Sequence, residues 1–336
     1  MRAAAFTSLT GPDGVELIEQ ADPDPGDGEA VVDVEACSIN RHDLWILEGD
    51  SAMVNEGVLP FVTGLDVAGT VRETGAGASV SEGDRVLLCP NQTCGECRYC
   101  REGPENLCQS FMLYHGGLAE QALVDGSRLI PLPDDLSAQT AACLPTAYLT
   151  AWHMYRKADL TAGDRVFVPG ATGGVGVAAV QLADVLGLEA VGTTTSETKA
   201  ERLRELGCPH VVVSGDTDEI VREVRSIGEM DGALNHLAGE FTAVAAKVLR
   251  RGAKQVVCGR TAGSRVDTAA APFFLQHQEI VGSTMGTQPE LERLVDLAAS
   301  GAFEPVVGGT YDLDATGEAF RDMAERDAFG KLVVEP

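Results

Sequence analysis

The sequence predicts an α/β protein in which a doubly wound parallel sheet accompanies a β-rich domain. Three observations predict it. Between Val166 and Cys258, short apolar runs alternate with helical stretches. A glycine-rich turn, Gly170–Gly176, stands at the first strand-to-helix junction of that run. Ahead of it, residues 1–135 break into short strands separated by Pro, Gly and Asp, with four cysteines gathered between Cys94 and Cys108.

Taken in order, the apolar or alternating runs Val15–Gln20, Ala30–Ala36, Val62–Val71, Arg85–Cys89 and Leu118–Val124 read as strands, and Arg41–Leu47 as a short helix. Ser137–Lys157 reads as one long helix. Strands follow at Val166–Val168, Ala190–Thr193, Val211–Val213, Gly232–Asn235 and Gln255–Cys258. Helices at Gly176–Leu186, Thr198–Leu206, Glu219–Ile227 and Phe241–Leu249 separate them. The tail reads as helix Leu291–Ser300, helix Tyr311–Arg326 and strand Leu332–Val334, returning to the first domain.

With 336 residues, 44% of them hydrophobic, the chain can fill two cores. Low aromatic content (5%) and 38 glycines suit a fold of many tight turns. No apolar run reaches the roughly 20 residues of a membrane span. The start, Met1–Leu9, lacks a secretory leader, so a cytoplasmic protein is expected. The net charge of −26, with only five lysines, repels nucleic acid and anionic lipid and fits either a halophilic host or a merely acidic protein. Nine cysteines in that compartment point to metal or redox use rather than disulfides.

The turn Val166-Phe-Val-Pro-Gly170-Ala171-Thr172-Gly173-Gly174-Val175-Gly176 follows a strand and opens a helix. Backbone N–H groups at such a turn can approach a pyrophosphate at the helix N-terminus, which predicts a bound dinucleotide. An acid at the end of the next strand would grip a ribose 2′-hydroxyl; here Thr194 and Ser196 stand in that place, with Lys199 close behind. Hydroxyls and an ammonium suit a 2′-phosphate, so NADP(H) is expected over NAD(H). The same hydroxyls also serve as β-formers and a helix cap, and Glu197 lies near enough to serve NAD(H).

Cys94-Gly-Glu-Cys97-Arg-Tyr-Cys100 and Cys108 supply four thiolates that can close around one tetrahedral Zn²⁺. Four protein ligands leave no open position, so this zinc is expected to be structural.

The glycine turn and the cysteine lobe together resemble the medium-chain dehydrogenase/reductase superfamily, within it the quinone-oxidoreductase-like zinc-binding dehydrogenases. Further stretches that carry the resemblance are Ala36–Asn40, Gly64-Leu65-Asp66, Leu144–Trp152, Gly282–Gly286 and Phe329–Lys331. The resemblance implies a GroES-like catalytic domain from residues 1–145 and 285–336, with a zinc lobe over 89–110. It implies a Rossmann domain over 146–284 and a homodimer or homotetramer. Cys37 and Cys143 match two ligands of a catalytic zinc and Asp66 an acidic one, but Leu65 stands where the family's histidine ligand belongs. His42 matches a relay histidine, and Asn40 an asparagine of the quinone-like group. Thr150 falls in the cofactor set that the resemblance implies.

Two mechanisms follow. In one, Cys37, Cys143 and Asp66 hold a depleted catalytic zinc that polarises a carbonyl. In the other, no metal sits there, and Asn40 with backbone donors stabilises charge as hydride adds to an enone or quinone. His236, Cys258 and Ser283-Thr284-Met285 end strands on the cofactor side, and Lys331 can reach a phosphate; each also has a plain packing or surface reading. The expected activity is NAD(P)H-dependent hydride transfer to a small-molecule carbonyl, enone or quinone. A zinc alcohol dehydrogenase with an atypical site is the alternative, and a non-catalytic NADPH-binding interaction protein the second alternative.

Overall fold

The computed structural model describes residues 1–51, 54–266 and 268–336, and the chain divides into two units, Met1–Thr146 with Thr287–Pro336 and Ala147–Gly286. The first unit opens with strands β1 (Arg2–Phe6), β2 (Val15–Glu19) and β3 (Glu29–Ser38), then helix α1 (Arg41–Leu47). Asn40 caps α1, and its backbone N–H donates to the Asp43 carboxylate, a reciprocal pairing that starts the helix at that residue. Strands β4 (Phe61–Val62), β5 (Asp66–Thr74) and β6 (Arg85–Leu88) come next. The single strand expected over Val62–Val71 is therefore interrupted, because Gly64 takes the left-handed conformation (φ 102°).

The lobe holds β7 (Asn91–Gln92), helix α2 (Arg98–Glu102) and β8 (Met112–Leu113); β9 (Gln121–Asp125) and β10 (Leu129–Pro131) complete this half. Helix α3 (Ala138–Ala142) begins at Ser137, whose hydroxyl accepts the Thr140 N–H. The long helix expected over Ser137–Lys157 is broken: a π-helical turn, Leu144–Tyr148, separates α3 from α4 (Leu149–Ala158). Pro145 lacks the N–H that a continuous helix would use.

In the second unit, β11 (Arg165–Val168), β12 (Glu189–Thr194), β13 (His210–Val213), β14 (Met230–Asn235), β15 (Leu249–Val257) and β16 (Glu279–Gly282) form a sheet ordered β13-β12-β11-β14-β15-β16, every neighbouring pair parallel. Helices α5 (Gly174–Val185), α6 (Glu197–Glu205), α7 (Thr217–Ile227), α8 (Phe241–Val248) and α9 (Ala270–Gln276) connect the strands. This is the doubly wound order, and the order reverses at β11, where the glycine turn lies. Helix α7 shows how its residues place it: Ile220, Val221 and Val224 fall on one face and join Phe167, Val191 and Met230 in the core.

The chain then returns to the first unit through α10 (Gln288–Ala299), β17 (Val307–Asp312), α11 (Thr316–Glu325) and β18 (Lys331–Glu335). Tyr311 lies in a strand rather than in the helix expected over Tyr311–Arg326. Strand β18 pairs antiparallel with β3 at Val333–Ser38 and Val334–Cys37 and parallel with β17. Helix α11 closes the core of this unit, its Phe320 ring edge-on to Phe6 at 5.5 Å. Among the described residues no helix is long and apolar enough to cross a membrane.

Candidate functional site

The four lobe sulfurs all lie within 4.8 Å of one another. A tetrahedral zinc with bonds of about 2.3 Å puts its sulfurs roughly 3.8 Å apart. Here Cys97–Cys100, Cys94–Cys108 and Cys94–Cys100 stand 3.5, 3.6 and 3.9 Å apart. The Cys100 backbone N–H pulls the Cys97 thiol down to about 6, and the Glu96 N–H lowers Cys94. Burial pushes Cys100 up to about 11, a crowding of sulfur that a bound cation relieves. Zinc therefore fits, and its work there is scaffolding. The lobe is tied to its own unit by Arg128, which pairs with Glu105 at 2.8 Å, and by Glu105, which accepts the Gln288 N–H at 3.0 Å.

A second polar nest lies where β3, β5, α1 and β18 meet. Asp66, fully buried, accepts the Asn40 amide N–H (2.9 Å), the Thr146 hydroxyl (2.5 Å) and the Lys331 ammonium (3.2 Å), with the Ser38 hydroxyl 2.8 Å away. The Lys331 ammonium, only 4% exposed, also donates to the Ile39 carbonyl (2.8 Å) and the Asn40 carbonyl oxygen (2.5 Å). Its three N–H groups are all used, so Lys331 is a buried partner of Asp66, not a surface lysine free to reach a phosphate. Asn40 is spent in the same way. Its N–H groups go to Asp66 and the Ser38 carbonyl and its oxygen to Lys331. No donor of its side chain remains for a substrate oxygen.

Cys37 and Cys143 border this nest. Burial, reinforced by Asp66, pushes the Cys37 thiol far up, and burial holds Cys143 at about 12. Gly64 and Gly117 let the backbone close over Cys37: a Cβ on either would come within 2.9 Å or 3.1 Å of its sulfur. A catalytic zinc does not fit these residues. Leu65 has no ligand atom and is fully buried, and the Asp66 carboxylate already has an ammonium against it. Among the described residues the lobe cysteines are the one group of three or more metal-ligating side chains that converge.

His42, on α1, lies against His115, their rings stacked at 5.6 Å with 26° between planes. Sequence reasoning missed His115. The signal for it is long-range, since its ring nitrogen Nδ1 meets Thr63, 52 residues away, at 3.0 Å.

In the second unit, Gly170 adopts φ 64°, and its N–H donates to the Thr193 hydroxyl (3.0 Å). Ala171 and Thr172 form the turn, Gly173 caps α5, and Gly174, Val175 and Gly176 make the first turn of the helix. Gly176 is sterically required, because a Cβ there would lie 2.4 Å from the Gly170 carbonyl oxygen. Gly173 is different: its φ is −78° and a Cβ would meet nothing within 4 Å. No side chain caps the helix. Open space beside uncapped N–H groups fits a pyrophosphate.

Ser196 caps α6 through the Lys199 N–H (3.4 Å), and the Thr194 hydroxyl accepts the Ser196 N–H (3.2 Å). Both hydroxyls thus have structural tasks, at the end of the strand where an acid would select NAD(H). His236 follows β14 with Nδ1 unpartnered, and burial holds its pKa at about 4 against the carbonyls of Leu234 and Gly170. Burial also raises the Cys258 thiol to about 12. Ser283 is buried with its hydroxyl unpartnered, and Thr284 follows it. Met285 sits at φ 50° with its sulfur 3.9 Å from the Thr150 hydroxyl.

Residues 26–134 match the alcohol dehydrogenase GroES-like domain and residues 174–300 the zinc-binding dehydrogenase domain. The NAD-dependent alcohol dehydrogenase of Saccharolobus solfataricus is 30% identical over the whole of both chains. The chain belongs to the medium-chain dehydrogenase/reductase superfamily. A medium-chain dehydrogenase/reductase moves hydride between a nicotinamide and a carbonyl or enone carbon. Acryloyl-coenzyme A reductase of Sulfurisphaera tokodaii, 28% identical over 96% of this chain and 97% of its own, is a further relative. The solved structure of an NAD-dependent alcohol dehydrogenase superposes with a TM-score of 0.92 at 32% identity, covering all of both chains.

Proposed function

We propose that this medium-chain oxidoreductase is an NADPH-preferring reductase of enones, quinones or related carbonyls. On this reading it carries one structural zinc and no catalytic one. The observation that carries it is the Lys331 ammonium seated on Asp66 beside Leu65, a resident cation where a metal-dependent relative needs ligands. The bound nicotinamide supplies the hydride. The chain's own residues do the rest. The α5 N-terminus and Gly173 hold the pyrophosphate. Thr194, Ser196 and Lys199 receive the 2′-phosphate, with no acid at the end of β12 to repel it. His42, whose Nε2 is buried without a partner, carries the proton to the substrate oxygen. Exposed Phe274, Leu275 and Ile280, on or before edge strand β16, support assembly as a homo-oligomer.

The test is metal analysis joined to turnover. About one zinc per chain, with NADPH consumed against enones (including acyl-coenzyme A enones) and quinones, supports the reading. Two zincs per chain and activity on simple alcohols would replace it with an alcohol dehydrogenase. Coenzyme binding without turnover would replace it with a binding protein.

A further inference from the structure

His115 is a half-buried group with no place in the mechanism so far, and the residues around it fix its chemistry. The Thr63 hydroxyl donates its one proton to the Asp43 carboxylate at 2.5 Å. Its oxygen can then only accept from His115 Nδ1, 3.0 Å away. Asp43 is fully buried, anchored by the Asn40 N–H at 2.8 Å. This chain, Asp43–Thr63–His115, assigns the ring proton to Nδ1 and leaves Nε2 a bare lone pair. Nε2 is buried with no hydrogen-bond partner, and the same is true of His42 Nε2. The His115 ring stacks on His42 and lies 5.1 Å from the Phe61 ring.

Resting on the reading of His42 as the proton carrier, we propose that His115 is a positioning residue: locked by Thr63 and Asp43 as a neutral imidazole protonated at Nδ1, it supports the His42 ring and adds no second positive charge beside it. In reduction, His42 passes its Nε2 proton to the substrate oxygen that gained charge from hydride addition; the imidazolium becomes neutral and water recharges it. A second positive charge stacked at 5.6 Å would oppose that recharging, and burial, with His42 adding to it, holds His115 uncharged down to about 4. The titratable groups acting on the pair are Asp43 on the same helix as His42, Asp66 acting through Asp43, and the two histidines themselves.

The experiment is nitrogen-15 NMR of the histidine-labelled full chain, with kinetics of variants. The expected spectrum shows His115 neutral and protonated at Nδ1 from pH 6 to 9, while Thr63→Val loses that tautomer preference. A His115 protonated at Nε2, or charged at neutral pH, overturns the proposal whatever the activity. In kinetics, His115→Phe, which keeps a flat ring, is expected to lower kcat by about 10-fold at little-changed KM and to move the kcat–pH profile. His115→Asn, whose amide N–H can still reach Thr63, is expected to recover most of it. A His115→Phe variant with wild-type kcat and pH profile, or a His115→Asn variant no better than His115→Phe, overturns the proposal. A His42→Gln enzyme with full kcat removes the carrier reading on which it rests, and the NMR outcome is read apart from that.

Discussion

The cysteine lobe and the Asp66 nest lie in one unit and draw on similar side chains, yet they differ in where their positive charge comes from. In the lobe, four sulfurs lie within 4.8 Å of one another at a partly exposed position. In the nest, two thiols kept protonated by burial border a carboxylate that already holds a lysine. Four close thiols at a partly exposed position demand a cation from outside. A carboxylate with an ammonium against it has no such demand, and a leucine at the remaining place removes the means of meeting one.

The comparison can be broken most sharply at the lobe. Cys97→Ser is expected to abolish zinc binding and destabilise the first unit by about 5 kcal/mol or more, read as zinc per chain and urea midpoint. Cys143→Ser should leave zinc content unchanged, and a loss of metal there would merge the two regions into one class. In the nest, Lys331→Met strands a buried carboxylate, with an expected cost of about 3–5 kcal/mol in chemical denaturation. The double variant Lys331→Met with Asp66→Asn should recover part of that loss. No recovery would mean that the ion pair is not what Lys331 contributes.

In the second unit, Gly176→Ala forces a Cβ to 2.4 Å from a backbone carbonyl and is expected to cost about 2 kcal/mol of stability. Gly173→Ala meets only open space in the chain. It should leave the melting temperature unchanged while weakening coenzyme binding about 10-fold by calorimetry. The remaining prediction concerns acid. Burial lowers His115 and His236 from 6.5 to about 4. Between those values the unfolded chain binds more protons than the folded one, so stability falls as pH falls from 6.5 towards 4. Each contributes on the order of 3 kcal/mol by pH 4, so about 6 kcal/mol for the pair, seen as a declining denaturation midpoint.

What the sequence made legible was local. The glycine turn and the lobe each lie within about fifteen residues, where spacing alone fixes geometry. The alternation from β11 to β15 was readable because each parallel strand is an apolar run followed by an amphipathic helix. The nest was not readable, since Lys331 meets Asp66 across 265 residues and Asn40 across 291. Lys331 looked like a lone surface charge because the strand register that buries it is set by β3 and β17. His115 went unnoticed for the same reason. Asn40 was recognised as important, but the use of its amide inside the fold could be seen only once Lys331 was in place.

Strand β18 brings a consequence for how the molecule is made. Residues 147–286 contain every strand of the parallel sheet, so that unit can close while the rest of the chain is still being synthesised. The first unit must wait, with Asp66 and both thiols prepared but open to water, until Lys331–Glu335 leave the ribosome and slot beside β3. The Asp66 nest is thus closed by a residue translated 265 positions after Asp66 itself, and a message cut short before it would yield an intact parallel-sheet unit attached to an unfinished first one.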